Sequence, residues 1–154
     1  MPDKKITVLY VDDEPNNLFS FKATFRLKYN IITATSGDEA MEILKKTPIE
    51  IIITDQRMPN MTGVEFLEKV LEINAEPMRL LLTGYADMNA VIDAVNKGKI
   101  FHYLTKPWNE EELTMSIERA YEVYVQQKEI VDMNSKLLVS NDQLEFLLRQ
   151  KLLD

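Results

Sequence analysis

"IEIIITDQRMP", residues 49–59, decides the fold class of this 154-residue chain. Ile51, Ile52 and Ile53 follow one another without any alternation between apolar and polar side chains. A strand with one face in water alternates, so a continuous apolar run indicates a strand buried on both faces, as in a parallel sheet covered by helices. The stretch "MRLLLTG", residues 78–84, has the same character. The two stretches together predict strands that are buried on both faces within a parallel sheet.

Outward from these stretches, apolar runs alternate with segments of helical spacing. Ser36 with Glu39, and Thr62 with Glu65, have the spacing of capping boxes at helix starts. Such alternation of strands and helices predicts right-handed crossovers and a doubly wound α/β fold. The five predicted strands are Ile6 to Val11, Ile31 to Ala34, Ile49 to Thr54, Met78 to Thr83 and Ile100 to Thr105.

Composition excludes several classes of protein. The chain is 45% apolar and 28% charged, which is typical of a soluble globular domain, and no apolar run reaches the roughly 20 residues of a membrane helix. With no secretory signal at the N-terminus, we expect a cytoplasmic protein that does not bind membranes. Zero cysteines and a single histidine exclude disulfides, thiolate catalysis and cysteine-ligated or multi-histidine metal sites. The net charge of −7 argues against nucleic-acid binding.

The C-terminal segment has a different pattern. From Asn109 to Leu153 there is no glycine or proline, so one helix can run far beyond the globular mean of about 12 residues. Its residues fit the d and a positions of a heptad repeat, which predicts a coiled coil and a homodimer through this helix. The alternative is one amphipathic helix that folds back on its own domain. The d positions are Val123, Ile130, Leu137 and Leu144, and the a positions are Gln127, Asn134, Asn141 and Leu148.

Polar residues stand at the carboxyl ends of four predicted strands. Asp12 and Asp13 end the first strand and Asp55 ends the third, while Thr83 and Lys106 end the fourth and fifth. Ligands of doubly wound sheets bind outside these strand ends. Three carboxylates converging there repel one another unless a lysine and a divalent cation compensate, and hard oxygen ligands select Mg²⁺ or Mn²⁺.

Single residues in this set also have ordinary structural interpretations. Asp12 alone would be read as a helix N-cap, since Pro15 suits a first helical turn. Tyr103 alone would be a half-buried strand aromatic, and His102 an exposed strand residue because it alternates with Tyr103. Trp108 fits a packing anchor at the start of the last helix. The acidic trio, rather than any one member, favours a functional site.

Four motifs resemble the response-regulator receiver domain of bacterial two-component systems. They are "VDDE", "TDQRMPNMTG", "LLTGYAD" and "YLTKPW", and they occur in the family's order and spacing between Lys5 and about Tyr124. The resemblance implies a flavodoxin-like (βα)5 fold with strand order 2-1-3-4-5. The segment from Asn109 to Leu153, which lacks glycine and proline, extends the last helix of that fold. We therefore expect a receiver domain over residues 1–124 and a helical coiled-coil extension over residues 125–154.

The resemblance also implies a role for each acid. Asp55 is the expected phosphoacceptor, and a sensor histidine kinase is the expected phosphodonor. Asp13 and Asp55 are expected to bind Mg²⁺ directly together with the carbonyl of Arg57, and Asp12 mainly through water. A carboxylate that attacks phosphorus needs such positive charge to shield it from the phosphoryl oxygens.

Three further roles follow from the same resemblance. Lys106 is expected to pair with the phosphoryl group, Thr83 to hydrogen-bond it, and Tyr103 to occupy the switch position. The chain would then be no enzyme in the ordinary sense, but a phosphoacceptor switch that assists its own phosphorylation and dephosphorylation. It would control an output module or a partner.

Two other functions compete with this interpretation. A haloacid-dehalogenase-like phosphohydrolase also forms an aspartyl phosphate, but it carries a second acid two residues after its nucleophile, where Asp55 is followed by Gln56 and Arg57. A pure coiled-coil adaptor would carry a vestigial acidic site, which the intact set of residues disfavours. The sequence leaves open the cognate kinase, the output and whether the chain is a fragment, although it resembles receivers that precede cyclic-dinucleotide phosphodiesterases or hydrogenase-type transcription activators.

Overall fold

The computed structural model describes residues 4–84, 86 and 88–153 of the chain. Five strands form one parallel sheet in the order β2-β1-β3-β4-β5, which confirms the doubly wound prediction. The chain alternates strictly between strands and helices. The strands are β1 (Thr7–Val11), β2 (Asn30–Ala34), β3 (Ile51–Asp55), β4 (Met78–Thr83) and β5 (His102–Thr105).

The helices cover both faces of the sheet. One core contains side chains of α1 and α5, and the other contains side chains of α2, α3 and α4. Strand alternation divides β3 between them, since Ile51 and Ile53 enter the first core and Ile52 the second. The helices are α1 (Pro15–Phe25), α2 (Gly37–Lys46), α3 (Gly63–Ile73), α4 (Met88–Asn96) and α5 (Glu110–Leu153).

The register places the strand ends that carry the polar residues side by side. Asp55 of β3 lies opposite Leu82 of β4, and Thr83 lies opposite Thr105 of β5. Strand order changes direction between β1 and β3, so the crevice outside their carboxyl ends is the expected ligand position of this fold. Asp12, Asp13 and Asp55 all stand at that crevice.

The sequence predicts two capping boxes at helix starts. The one at α3 forms in full, and the one at α2 forms only one of its two hydrogen bonds. Thr62 and Glu65 form the full capping box of α3, each side chain accepting from the other's backbone N–H. Ser36 accepts from the N–H of Glu39, as predicted for α2. The carboxylate of Glu39 instead accepts from the N–H and hydroxyl of Thr35, at 3.1 and 2.6 Å, because Thr35 offers two donors at one place. The second half of that predicted box is wrong.

Trp108 confirms its predicted role as a packing anchor. It is partly buried against the first core, with its ring centroid 6.0 Å from that of Phe21 and 5.7 Å from that of Phe25. Phe21 in turn stacks on Tyr10 of β1, with centroids 4.0 Å apart and planes 5° apart. One aromatic cluster therefore joins β1, α1 and the segment that leads into α5.

The last helix continues well past the domain. α5 runs for 44 residues, and every residue from 126 to 151 is exposed. The fold-back alternative is therefore wrong for this part of the helix.

Val123, predicted as the first d position, packs against the first core of its own chain, so an intermolecular apolar stripe would begin at Ile130. Within the described residues, no helix is long and apolar enough to cross a membrane.

Candidate functional site

The structure brings the three predicted carboxylates together at the ends of β1 and β3. Asp12, Asp13 and Asp55 each offer a carboxylate oxygen, and these oxygens all lie within 4.8 Å of one another. Asp12 is fully buried and Asp55 is 5% exposed, while Asp13 is half-buried at the rim. Like charges this close and this poorly solvated favour the binding of a cation.

Lys106 reaches the same cleft from the end of β5. Its ammonium nitrogen lies 2.5 Å from Oδ1 of Asp55. The backbone N–H of Lys106 donates to the carbonyl of Thr83, at 2.9 Å, and so joins the ends of β4 and β5. The sheet itself therefore fixes where the lysine side chain starts, and its prediction as the positive partner of Asp55 agrees with this geometry.

Electrostatics at Asp55 leave room for more positive charge. Burial raises the pKa of this carboxyl above its ordinary value, and the charge of Asp12 raises it further. Lys106 and the N–H of Gln56 oppose the shift of this pKa without cancelling it. Three carboxylates and one ammonium leave a formal charge of −2, and all the donor atoms of the cluster are oxygens. This donor set fits Mg²⁺ or Mn²⁺.

The other predicted residues make contacts outside the acidic cluster. Thr83 is 2% exposed, and its hydroxyl donates to the carbonyl of Gly84 at 2.9 Å. Tyr103 is half-buried against the second core, and His102 is exposed beside it, as predicted. The side chain of Arg57 is exposed, and the metal-binding role of its carbonyl stays a prediction.

The first residue of α3, Gly63, packs directly against the backbone of Asp55. A Cβ atom at Gly63 would lie 2.4 Å from the carbonyl oxygen of Asp55 and 2.7 Å from Cδ1 of Leu81, so only glycine fits. Gln56 completes this junction because its carbonyl accepts from Gly63 N–H and its side-chain oxygen from Val64 N–H, both at 2.9 Å. Sequence reasoning missed Gln56, whose signal was a polar side chain directly after the strand-end acid.

Sequence reasoning also missed the partners of Asp12. Its Oδ2 accepts from the hydroxyl of Tyr10 at 2.9 Å and from Nδ2 of Asn17 at 3.1 Å, while Oδ1 accepts from the N–H of Glu14 at 3.0 Å. The N-cap of α1 is Glu14, so the N-cap interpretation of Asp12 is wrong. Burial, followed by the charge of Asp12, raises the pKa of Tyr10 above its ordinary value, so its hydroxyl stays a donor.

Comparisons with known proteins agree with this geometry. Residues 8–118 match the family model described as "Response regulator receiver domain". The chain is 36% identical over 152 residues to the hydrogenase transcriptional regulatory protein HoxA of Cupriavidus necator, an alignment that covers 99% of this chain and 32% of that protein. The chain spans about a quarter to a third of the length of the curated relatives it matches.

Solved structures share the same fold. A crystal structure of an uncharacterized protein from Neptuniibacter caesariensis is 43% identical, with a TM-score of 0.77 over 82% of this chain and 96% of that one. A response regulator receiver domain protein from Clostridium thermocellum is 28% identical, with a TM-score of 0.73 over 82% of this chain and 98% of that one. The family match, which covers most of the chain, decides against the phosphohydrolase alternative, and the acidic cleft agrees with it. The chain belongs to the response regulator receiver domain family.

Proposed function

We propose that Asp55 of this receiver domain accepts a phosphoryl group and that the modified domain acts as a reversible switch. The observation that carries the proposal is the contact of the Lys106 ammonium with Asp55 inside a cleft of three carboxylates. In the transfer, a carboxylate oxygen of Asp55 forms a bond to phosphorus, and the bond from phosphorus to the donor breaks. With a phosphohistidine donor, the electron pair of that P–N bond goes to the imidazole nitrogen.

The hydrogen bonds of Asp55 indicate which oxygen reacts. Oδ1 contacts the Lys106 ammonium and accepts from the N–H of Gln56 at 3.0 Å. Among the residues that the structure describes, no hydrogen bond or ion pair is recorded for Oδ2. We infer that Oδ2 is the nucleophile, because attack on phosphorus needs a lone pair that is not already shared with a donor.

A divalent cation belongs to this proposal because the cleft is formally negative and lined by oxygens. Asp13 and Asp55 would hold Mg²⁺ directly with the carbonyl of Arg57, and Asp12 would act mainly through water. When bound, Mg²⁺ supplies positive charge that offsets the repulsion between the carboxylate and the phosphoryl oxygens. The buried acids of this chain keep that charge in a poorly solvated crevice, where it acts most strongly.

Three side chains would report the modification to the rest of the domain. Lys106 is already beside Asp55 and can pair with a phosphoryl oxygen after transfer. Among the residues that the structure describes, the hydroxyl of Thr83 bonds only the carbonyl of Gly84, so rotation toward the phosphoryl group exchanges one hydrogen bond for a charge-assisted one. Tyr103, half-buried on β5, would turn inward as Thr83 moves. These residues would also assist phosphorylation and dephosphorylation of the domain itself.

A sensor histidine kinase is the proposed phosphodonor, since receiver domains take their phosphoryl groups from such kinases. The relative from Cupriavidus necator is a hydrogenase transcriptional regulatory protein, and this chain aligns with about a third of it. We propose that this receiver likewise controls a transcriptional output carried outside the 154 residues. That proposal rests on the likeness between the two chains and on no residue of the cleft.

We further propose that residues 1–124 are the receiver domain and that residues 125–154 pair with a second copy as a parallel coiled coil. Ile130, Leu137 and Leu144 repeat every seven residues and are 57, 60 and 57% exposed in the single chain. A helix exposed all round gains stability when such a stripe is buried against a partner. Asn134 and Asn141 at a positions favour an in-register pair, because each can hydrogen-bond its equivalent across the seam.

The phosphorylation proposal is tested by mass spectrometry after incubation with Mg²⁺ and a small phosphodonor such as acetyl phosphate. We expect a mass increase of one phosphoryl group, which Asp55→Asn abolishes and Asp38→Asn leaves unchanged, since Asp38 is an exposed acid on α2. A full mass increase in Asp55→Asn would show that another residue is the acceptor.

A further inference from the structure

We propose that Tyr10 and Asn17 are positioning residues of the metal site, and that together they clamp one oxygen of Asp12 so that only its other oxygen is available to the cation. This inference rests on the proposed Mg²⁺ site and adds to it residues that act through Asp12 without touching the metal. The clamp is defined by two contacts, from the Tyr10 hydroxyl and the Asn17 amide to Oδ2 of Asp12.

The position of the Tyr10 hydroxyl is set by the strand and by the first core. Strand alternation puts Tyr10 and Asp12 on the same face of the chain, two residues apart. Tyr10 is 1% exposed, and its ring lies parallel to the ring of Phe21, with the centroids 4.0 Å apart. Because Phe21 belongs to α1, packing against this helix fixes the orientation of the Tyr10 ring. Asn17 comes from the first turn of the same helix, so α1 supports both donors.

Counting acceptor positions shows what is left for a cation. An ionised carboxylate has about four lone-pair positions, two on each oxygen. In Asp12, Tyr10 and Asn17 occupy both positions of Oδ2, and the N–H of Glu14 occupies one of Oδ1. Counting the contacts of the described residues, one position remains, on Oδ1. Asp12 can therefore make one contact with the cation or with one of its waters, and the clamp determines which oxygen makes it.

Removal of the clamp should weaken cation binding without altering the chemistry at Asp55. Without the Tyr10 hydroxyl, the carboxylate of Asp12 can rotate, and part of its orientation must be regained when the cation binds. Hydrogen-bond partners behind a direct metal ligand typically contribute 10- to 100-fold to metal affinity, and partners of a carboxylate that acts through a metal-bound water fall at the lower end of that range. Asn17 and Glu14 still bond Asp12 in Tyr10→Phe. We therefore expect an effect at the lower end of this range, that is, a Kd for Mg²⁺ about 10-fold higher than in the parent.

A matched control is available in the same core. Tyr29 is 3% exposed, packs in the first core, and donates its hydroxyl to Glu118 at 2.9 Å. Tyr29→Phe therefore removes a buried hydroxyl bonded to a carboxylate, as Tyr10→Phe does, but away from the acidic cleft. A structural role alone would lower the stability of both variants and leave the Mg²⁺ affinity of both unchanged.

The experiment titrates Mg²⁺ into the full chain, follows Trp108 fluorescence and amide NMR, and then measures acetyl phosphate labelling over the same Mg²⁺ range. In Tyr10→Phe we expect the Mg²⁺ concentration for half-maximal labelling to rise about 10-fold, the same factor as the Kd, while the rate at saturating Mg²⁺ stays as in the parent. Tyr29→Phe should match the parent in both measurements.

The outcomes separate this inference from the proposal on which it rests. Equal Mg²⁺ affinity in the parent and Tyr10→Phe overturns the clamp and leaves the metal site standing, whereas a parent that binds no Mg²⁺ overturns both. Asn17 is exposed, so Asn17→Ala keeps the core intact and decides the matter if Tyr10→Phe does not fold. We expect it to weaken Mg²⁺ binding by several-fold, and unchanged affinity in that variant also refutes the clamp.

Discussion

Leu137→Ala tests whether the exposed part of α5 pairs with a second copy. Leu137 is 60% exposed in the single chain and stands at the centre of the proposed d stripe. Leucine exceeds alanine by three carbon groups, each worth about 0.8 kcal/mol when buried. Scaling by the exposed fraction gives about 1.4 kcal/mol per side chain. A symmetric dimer contains the residue twice, so the substitution should cost about 3 kcal/mol of association free energy.

That cost corresponds to a dimer Kd about 100-fold higher, since each 1.4 kcal/mol changes an equilibrium constant tenfold. The assay is sedimentation equilibrium of the full chain over a range of concentrations. Val139→Ala is the matched control, because Val139 is 56% exposed but lies at the f position, away from the seam. Both substitutions introduce alanine, the best helix former, so neither weakens the helix itself.

Two results would refute the reasoning about the coil. A parent chain that stays monomeric at high micromolar concentration excludes the dimer. Equal dissociation constants for Leu137→Ala and Val139→Ala would show association through a surface other than the d stripe. If association requires the exposed part of α5, a chain that ends at Tyr124 should be monomeric. Dimerisation of that shorter chain would place the interface on the receiver domain.

Two further substitutions examine the cleft. Gly63→Ala should lower the free energy of unfolding by about 1–3 kcal/mol in a denaturant titration, because its Cβ meets the carbonyl of Asp55, while Gly84→Ala, with open space around its Cβ, should lower it far less. Asp55→Asn should raise the midpoint of thermal unfolding of the metal-free protein at neutral pH, because burial disfavours the ionised carboxyl that the substitution removes. The raised pKa means that the stabilising effect of the protonated carboxyl is lost as pH rises through the folded-state pKa, so the difference should shrink toward about pH 4. A loss of stability at neutral pH in Asp55→Asn would show that the Lys106 contact outweighs the burial of the charge.

The sheet was predictable from sequence because its signal is physical and local. Ile51 to Ile53 must be buried on both faces, and that requirement alone distinguishes a parallel sheet from most alternatives. The acids at the strand ends followed from the same logic, since parallel strands bring their carboxyl ends to one edge. Lys106 followed as well, because a cluster of carboxylates needs a positive partner.

Side-chain hydrogen bonds were the part that spacing could not supply. The pairing of Tyr10 with Asp12 depends on the tilt of a ring stacked on Phe21, which strand alternation permits but does not specify. Glu39 illustrates the same limit, since its carboxylate bonds Thr35 although the sequence spacing predicted Ser36. Val123 has the spacing of a heptad d position, yet its side chain packs against the first core of its own domain. Boundaries between packed and free parts of one helix depend on tertiary structure.

The length of the exposed part of α5 makes it a lever arm. Residues 126–151 span roughly 39 Å at 1.5 Å per residue, so a tilt of about 10° at the base moves the far end by roughly 7 Å. A lone helix in water is marginally stable and frays, so it transmits such a displacement poorly. Pairing with a second helix would stiffen the arm. The segment would then need to self-associate in order to transmit a movement. A substitution that separates the two helices would also prevent a change at the cleft from reaching the far end of α5.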